Sequence, residues 1–336
     1  MNKKLGQFKR GTFVASAVAL TLGLSACGAT SSTTSASSSH HYTIGFIPGD
    51  TTDPFFVSMG QGATYEAKKL GVNLIWTGNP TWDYEEQDPY VSGLIAKHVN
   101  FLVIDPNSAT ASIPAIKSAT NAGISVGTVD ATINAQNLLK FMVTSDNIQG
   151  GAEAANWVAQ KIGGKGEVAV LNDQQGVTTT DLRNQGFIDQ IKKYPNIRVV
   201  ADDFVDDSTS TAEADMQSIL LAHPRVKAVY GVMDYAVEGA ALAVSHAKRT
   251  QNSSHPVANG IWIIGYDAEP SEVADLNNGS LQALIAQKPY MEGEIAVQYA
   301  YDFLSGKKDA IKKDTYLTNV LATKANEAST SKWFYK

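Results

Sequence analysis

The fold is decided by the stretch YTIGFIPGDTTDPFFVSMGQGATYEAKKLGVNLIW, residues 42–76. It opens with one short apolar run and closes with another, and runs of this kind favour buried strands. Between them, from Pro54 onward, apolar side chains recur every three or four residues, as on one face of a helix, and Gly71 stands where a helix C-cap is expected. The stretch therefore predicts a strand–helix–strand unit.

The same alternation continues along the chain. Short apolar runs rich in Val and Ile predict buried strands at 101–104, 124–129, 168–171, 197–200, 226–232 and 261–265. Amphipathic stretches predict helices at 113–122, 150–162, 180–193, 211–221 and 233–247. These are two consecutive sets of four strand–helix units with a seam near 143–147, followed by a strand at 281–286, a helix at 289–304 and an extended piece at 316–321. We therefore predict an α/β fold of two doubly wound parallel-sheet lobes.

The N-terminus has the layout of a secretory signal. Four basic residues and no acidic residue precede an apolar or small run at 11–24, which is short for a transmembrane helix. The run ends in Leu24-Ser25-Ala26-Cys27, which resembles the lipobox of bacterial lipoproteins. The resemblance implies removal of the signal peptide 1–26, acylation of Cys27 and anchoring to the extracytoplasmic face of the cell membrane. The alternative is an ordinary signal peptide that ends near the only cysteine, and the Ser/Thr-rich residues 27–41 predict a flexible tether.

Composition and charge argue against several classes of protein. The chain has 336 residues, of which 43% are hydrophobic, so it can bury a large core. Its formal net charge of −6 becomes −10 without residues 1–26, which contain four positive charges and no negative one, and this balance argues against nucleic-acid binding. The pair His40-His41 lacks two further metal ligands, and no Walker loop, Gly-x-Gly-x-x-Gly turn or nucleophile–base motif is present. We therefore predict a protein that is not an enzyme and uses no metal or cofactor.

Acidic and aromatic residues follow several predicted strands. Ligands of open parallel sheets bind beyond the carboxyl ends of the strands. Carboxylates accept strong hydrogen bonds from hydroxyl groups, and aromatic rings cover the C–H faces of a sugar, so these residues predict a site for a neutral polyhydroxylated molecule. The loops contain Asp53-Pro54-Phe55-Phe56, Asp105, Asp130, Phe204, Asp234 and Asp267, and Asn172, Gln174, Arg183 and Gln287 are candidate donors.

Structural roles compete with binding at some of these positions. Asp105 and Asp267 fit a helix cap as well as a ligand contact. Neighbours on a helix point about 100° apart, so one of Phe55 and Phe56 is expected in the core and the other in the cleft. The further alternatives are a solvated surface position for Arg183, a packing role for Trp82 and Tyr84 in a predicted loop at 80–89, and solvated acidic turns at 202–203 and 206–207.

Across residues 42–321 the chain resembles the type I periplasmic sugar-binding proteins, close to the ribose-binding proteins that feed ABC importers. The matching motifs are Asp53-Pro54-Phe55-Phe56, Thr128-Val129-Asp130, Ser145-Asp146-Asn147 with Gly150-Gly151, Arg183 with Gly186-Phe187, Ala222-His223-Pro224, Gly265-Tyr266-Asp267 and Ile285-Ala286-Gln287. The resemblance implies a three-strand hinge with crossovers near Ser145, Gln287 and Tyr316. The N-terminal lobe then comprises 42–145 and 288–316, and the C-terminal lobe 146–287 and 317–336.

The resemblance also implies roles for single residues. The two adjacent phenylalanines form an aromatic clamp and Phe204 stacks on the ligand, while two aspartates from opposite lobes accept hydroxyl groups and Arg183 and Gln287 donate hydrogen bonds. The predicted ligand-binding set is Asp53, Phe55, Phe56, Asp130, Arg183, Phe204, Met233, Asp267 and Gln287.

Three positions depart from the ribose binders. Asp53 stands where they have Asn, Ala131 where they have Arg, and Met233 where they have Asn. The last two changes remove donors and leave room beside the ligand. The loops at 77–80 and 178–181 look like the branch that binds autoinducer-2 or rhamnose. The ligand is therefore left open between these, ribose, another pentose, a deoxyhexose, a polyol and an inositol.

The favoured function is an extracytoplasmic solute-binding lipoprotein of an ABC importer. As a monomer it would close its lobes on a monosaccharide or polyol and deliver it to the permease and its ATPase. The alternative is a surface receptor that senses a furanosyl signal such as autoinducer-2. The lactose-repressor family shares the core, but a sugar-responsive transcription regulator would need a helix-turn-helix before Tyr42, where the signal peptide and tether stand instead.

Overall fold

The computed structural model of the protein describes residues 42–252 and 254–335. Its strands are β1 (Thr43–Ile47), β2 (Asn73–Trp76), β3 (Phe101–Ile104), β4 (Ser125–Val129), β5 (Leu139–Ser145), β6 (Lys165–Asn172), β7 (Asn196–Phe204), β8 (Val226–Gly231), β9 (Trp262–Tyr266), β10 (Ala283–Ala286), β11 (Asp314–Leu317) and β12 (Val320–Ala322). Its α-helices are α1 (Pro54–Leu70), α2 (Tyr84–Ala96), α3 (Ile113–Asn121), α4 (Asn147–Lys161), α5 (Thr178–Ile191), α6 (Thr209–Ala222), α7 (Asp234–His246), α8 (Pro270–Asn278), α9 (Pro289–Leu304) and α10 (Glu327–Thr330). The signal peptide predicted at 1–26, the acylation of Cys27 and the tether predicted at 27–41 lie outside the described residues.

The described residues form two six-stranded sheets, with strand orders β11-β5-β4-β3-β1-β2 and β12-β10-β9-β8-β6-β7. Neighbouring strands run parallel except β10 and β12, which are antiparallel. The order β2-β1-β3-β4-β5 of the first sheet recurs as β7-β6-β8-β9-β10 in the second. The predicted α/β class with two doubly wound, parallel-sheet lobes is confirmed, and we call them the first and second lobe.

Helices cover both faces of each sheet. In the first lobe, α1 and α9 pack on one face over Phe46 and Phe101, and α2 and α3 pack on the other over Leu102. In the second lobe, α4 and α5 pack over Val170 and Tyr230, and α6 and α7 cover the opposite face. Burial on both faces is why the strands are continuous apolar runs, and this made them legible in the sequence.

Two glycines set how closely the helices approach. A Cβ at Gly62 in α1 would overlap the backbone carbonyl of Tyr290 in α9, and a Cβ at Gly151 in α4 would overlap that of Arg183 in α5. A side chain at either position would force the helix pair apart, because backbone atoms cannot move aside as a flexible side chain can. The close contacts fix α1 and α5, which begin beside the carboxyl ends of the strands.

Within the described residues the chain passes from one sheet to the other three times. The passages lie between β5 and α4, between β10 and α9, and between β11 and β12. They fall next to the three positions where the hinge was expected. The exact lobe boundaries stay a prediction, since Tyr335, assigned to the second lobe, packs its ring on Phe55 in the first.

Two local predictions differ from the structure. The loop predicted at 80–89 is only partly a loop, because α2 begins at Tyr84 after the Asp83 side chain caps it by accepting from the N–H groups of Glu85 and Glu86. Pro89 lies in the second turn, where it removes one hydrogen bond of the helix interior without ending it. The extended piece predicted at 316–321 is two strands, β11 and β12, one in each sheet. Among the residues described, no helix combines the length and apolar character needed to cross a bilayer.

Candidate ligand-binding site

Two aspartates occupy equivalent positions in the two lobes. Asp130 follows β4 and Asp267 follows β9, and each adopts a positive φ, 55° and 81° respectively. Each donates its backbone N–H to the next strand of its sheet, Asp130 to the carbonyl of Val143 at 2.8 Å and Asp267 to that of Ile285 at 2.9 Å. Positive φ is uncommon outside glycine and concentrates at functional sites. The strained turns place both carboxyl groups at the carboxyl ends of the sheets.

Both aspartates line one cavity of about 380 Å³, which residues of both lobes enclose. A volume of this size suits a small ligand. Eight of the nine residues of the predicted set line the cavity. The ninth, Phe204, does not: it ends the edge strand β7 and is 42% exposed. The lining residues from the predicted set are Asp53, Phe55, Phe56, Asp130, Arg183, Met233, Asp267 and Gln287.

Asp267 accepts three hydrogen bonds from protein side chains. Its Oδ2 accepts from Arg183 Nη1 at 3.3 Å, and its Oδ1 accepts from Gln287 Nε2 at 2.6 Å and from the Tyr335 hydroxyl at 2.7 Å. These donors belong to α5, to the segment after β10 and to the C-terminal end of the described chain. Sequence reasoning missed Tyr335, because nothing in the local pattern around this residue places it beside β9.

Arg183 is buried and does not occupy the solvated surface position that was the alternative. Only 4% of the residue is exposed, and its guanidinium lies 4.0 Å from the centre of the Tyr266 ring. Its Nε donates to Asn147 at 3.0 Å and its Nη1 donates to the carbonyl of Val232 at 3.1 Å. Burial alone would lower the pKa of Arg183, but the Asp267 carboxylate reverses that effect and raises it. The site therefore contains a fixed positive charge.

Asp130 differs from Asp267 in its hydrogen bonds. Its residue is 6% exposed, and its Oδ1 has no hydrogen-bond partner among the described residues. Burial raises the pKa of Asp130 to about 7, although Arg183 acts in the other direction. Asp105 neither caps a helix nor lines the cavity: its Oδ1 accepts from the N–H of Ala131 at 3.0 Å and so holds the turn that contains Asp130.

Three aromatic residues line the first-lobe side of the cavity. Phe55 and Phe56 are each 5% exposed, and their rings meet edge to face. Both rings belong to the core and both line the cavity. The prediction that one would lie in the core and the other in the cleft is therefore wrong. Trp82 stacks on Phe56 with ring centres 6.2 Å apart and also lines the cavity. Trp82 therefore packs its loop down and forms part of the site.

The cavity wall contains acidic residues that the predicted set lacks. Gln174 donates to Asp207 at 2.6 Å, and Thr180 donates to Asp173 at 3.3 Å. Both aspartates line the cavity, so Asp207 belongs to the site and not to a solvated turn. Burial raises the pKa of Asp207 to about 8, and the hydrogen bond with Asp173 acts in the same direction. Asp130 was selected because ligands of parallel sheets bind beyond the carboxyl ends of the strands. The same rule, applied to every strand, would have found most of the additional acidic residues. The additional acidic lining residues are Asp50, Asp173, Asp207, Asp234 and Glu269.

Three of the carboxyl groups lie together at the junction of the lobes. Oxygens of Asp53, Asp234 and Glu269 are all within 4.8 Å of one another, an arrangement able to hold a cation. Asp53 also caps α1 by accepting from the N–H of Phe55 at 2.6 Å. Burial raises the pKa of Asp53 to about 6, and burial followed by the charges of Asp53 and Asp234 raises the pKa of Glu269 far above its ordinary value.

The comparisons with known proteins agree with this geometry. Residues 44–308 match the family model of the periplasmic binding protein domain. The ribose import binding protein RbsB of Bacillus subtilis is 32% identical over 267 residues, 80% of this chain and 83% of its own. A D-apiose import binding protein of Actinobacillus succinogenes is 27% identical over 86% of this chain and 92% of its own.

A solved structure has the same architecture. It is an ABC transporter solute-binding protein of Agrobacterium vitis with bound α-D-tagatopyranose, and it is 30% identical with a TM-score of 0.82 over 88% of this chain and 99% of its own. With two doubly wound lobes and a cavity enclosed by both, the chain belongs to the periplasmic binding protein family.

Proposed function

We propose that this protein is the extracytoplasmic solute-binding lipoprotein of an ABC importer and that it binds a monosaccharide or a related polyol between its lobes. The observation that supports this function best is the pair Asp130 and Asp267, placed by equivalent turns of opposite lobes on one cavity. A carboxylate accepts hydrogen bonds from neighbouring hydroxyl groups, and Phe56 and Trp82 offer ring faces for the C–H surface of the same ligand.

The relatives support the same class of ligand. Those in Bacillus subtilis and Actinobacillus succinogenes are import binding proteins for ribose and D-apiose, and the Agrobacterium vitis structure holds a ketohexose. Their names describe binding and import, not catalysis. Transfer of the captured sugar to a permease is the step that this resemblance adds to the geometry.

Binding across two lobes also supplies the mechanism of closure. A ligand shifts a two-state equilibrium only if it binds one state better than the other. A sugar held by Asp130 of the first lobe and Arg183 of the second gains both contacts only when the lobes are together. The closed state is then the state that a permease would recognise.

The function is tested by thermal-shift screening of the purified full chain against pentoses, hexoses, polyols, inositols and furanosyl signals, followed by calorimetric titration of those that stabilise it. We expect binding with a Kd of about 1 µM, about −8 kcal/mol. Asp189→Asn, a matched change on the exposed face of α5, serves as the control variant. A chain that is not stabilised by any member of the panel would contradict the proposal.

The lipid anchor has its own test. We expect a chain expressed in a bacterial host with radiolabelled palmitate to incorporate label and to fractionate with membranes. Cys27→Ser should abolish both, because no other cysteine is available in the sequence. Label that persists in Cys27→Ser would contradict acylation at this residue.

A further inference from the structure

The cavity contains far more negative than positive groups. Among the described residues that line it, the guanidinium of Arg183 is the single basic side chain, and it is already paired with Asp267. A neutral sugar adds no compensating charge, and buried carboxylates without a partner are costly. The carboxyl groups on the lining are Asp50, Asp53, Asp130, Asp173, Asp207, Asp234, Asp267 and Glu269.

The unpartnered atoms on the lining show the same imbalance. Asp130 Oδ1, Asp173 Oδ1 and Gln287 Oε1 have no hydrogen-bond partner within the described part of the chain, and their residues are 6%, 3% and 1% exposed. All three are acceptors. One lining donor, Trp82 Nε1, is likewise unpartnered. A ligand that satisfies this wall must donate more hydrogen bonds than it accepts.

The carboxyl groups converge most closely at Asp53, Asp234 and Glu269, within 4.8 Å. Asp53 belongs to the first lobe, whereas Asp234 and Glu269 belong to the second, so bringing the lobes together brings these charges together. Asp53 and Glu269 each use their carboxylate for a helix cap. Asp53 accepts from the N–H group of Phe55, and Glu269 accepts from that of Glu272. The mutual repulsion is relieved either by protons or by a cation placed between the three groups.

We propose, resting on the proposed sugar-binding function, that the ligand is an amino sugar or an amino polyol whose ammonium group binds Asp53, Asp234 and Glu269. Its hydroxyl groups donate to the free acceptors of Asp130 and Gln287. An ammonium group has three donors and no acceptor, which matches three carboxylates that offer one oxygen each. Calcium takes six to eight oxygen ligands and magnesium an octahedral set, so either ion would need water molecules beside the three carboxylates to complete its coordination.

The ammonium group would also couple binding to closure. Without it, the three carboxyl groups oppose the approach of the lobes, and burial and mutual repulsion raise the pKa values of Asp234 and Glu269. With it, each carboxylate faces a positive charge in a site from which water is excluded, where such interactions are strong. The same cluster therefore disfavours the closed state without ligand and favours it with ligand.

The experiment is calorimetric titration of the full chain at pH 7.5 with matched pairs that differ in one group. The pairs are glucosamine and glucose, galactosamine and galactose, mannosamine and mannose, and glucamine and sorbitol, with the uncharged N-acetyl derivatives of the amino sugars as a further control. We expect at least one amine to bind about tenfold or more tightly than its hydroxyl partner and its N-acetyl derivative, because a charge-assisted hydrogen bond contributes about 1.5–3 kcal/mol.

The outcomes separate this inference from the proposed function. Binding of neutral sugars as tightly as their amines, or more tightly, overturns the cationic ligand and leaves sugar binding intact. Binding of no member of any pair overturns both. Stabilisation by CaCl2 or MgCl2 alone, reversed by EDTA, overturns the ammonium in favour of a metal ion.

A variant locates the ammonium group. Asp234→Asn should weaken the amine about tenfold more than it weakens the neutral partner, because the amide keeps the size of the carboxyl group and removes its charge. Asp234 is preferred to Asp53, which also caps α1. The exposed Asp189→Asn is the matched control. Equal weakening of the amine and of its neutral partner in Asp234→Asn would contradict this placement.

Discussion

Asp130 and Asp267 have the same backbone setting and opposite side-chain surroundings. Each follows the fourth strand of its lobe in chain order, has a positive φ and donates its N–H to the adjacent strand. Asp267 receives three side-chain donors from the protein, whereas Asp130 Oδ1 receives none among the residues described. One repeated turn thus gives a carboxylate held by the protein and another available to a ligand.

The difference assigns separate tasks to the two lobes. The second lobe holds Arg183 rigidly through Asp267, Asn147 and Val232, so its half of the site is formed before a ligand arrives. The first lobe offers a carboxyl group whose pKa burial raises to about 7 and whose hydrogen bonds remain to be made. Under the proposed function, the ligand would complete the first-lobe half of the site, and that completion would favour closure.

The largest effect on the free energy of unfolding is expected from removing the charge of Asp267, which pairs with Arg183 in the second lobe. Asp267→Asn leaves the buried guanidinium of Arg183 without its carboxylate, and removing one partner of a buried pair costs about 3–5 kcal/mol. Asp130→Asn should leave the free energy of unfolding unchanged or raise it, because it removes a buried charge without a hydrogen-bond partner. Chemical denaturation of the ligand-free chains measures both. Equal destabilisation by the two variants would contradict the distinction between the lobes.

The next effect is on affinity. Asp130→Asn removes a charged acceptor that the protein leaves free, so it should weaken ligand binding by about 10- to 100-fold, the range of one or two charged hydrogen bonds. Calorimetry with the sugar found in the screen measures the change, and circular dichroism checks that the fold is intact. An unchanged Kd would remove Asp130 from the site.

The sequence was sufficient for the lobes and for some of the strand-end residues of the site. Buried parallel strands form continuous apolar runs, and their carboxyl ends meet at one edge, so local pattern alone indicates Asp53, Asp130 and Asp267. Resemblance to a family selected Arg183 and Gln287 from the four candidate donors, because position in the sequence alone does not separate them from Asn172 and Gln174.

Contacts between distant segments could not be predicted in this way. Tyr335 reaches Asp267 across 68 positions of sequence, and its neighbours in the chain show no pattern that indicates this contact. Asp207 was interpreted as solvated because the sequence does not show that its turn folds over Asp173. The stacking role predicted for Phe204 depends on the position of its edge strand, where the residue is 42% exposed and lies outside the cavity lining.

A smaller effect on the stability of the folded chain is expected from a change of pH. In the folded chain without ligand, the pKa values of Asp53, Asp130 and Asp207 are raised by burial to about 6, 7 and 8, from 3.8. The folded state therefore keeps protons that the unfolded state loses, so these groups stabilise the fold most below pH 3.8, and that stabilisation is lost as pH rises from there to the folded-state pKa values. The charged groups that face them are Asp50, Asp173, Arg183, Asp234, Asp267 and Glu269.

We expect the melting temperature of the ligand-free chain to fall by roughly a few degrees between pH 5 and pH 8.5. Asp130→Asn should flatten the profile between pH 5 and about pH 7, while the exposed Asp189→Asn should reproduce that of the parent chain. Differential scanning calorimetry across this range measures the profiles. A melting temperature that rises with pH would contradict the raised pKa values.

The smallest effect tests how far Asp267 depends on each donor. Tyr335→Phe removes the hydroxyl group at 2.7 Å from Asp267 but keeps the ring against Phe55, and Arg183 and Gln287 still donate. Loss of one hydrogen bond should lower the free energy of unfolding by about 1 kcal/mol and weaken the ligand by only about two- to fivefold. If instead the change matches that of Asp267→Asn, the hydroxyl group of Tyr335 and not the guanidinium of Arg183 is the partner on which the second-lobe carboxylate depends.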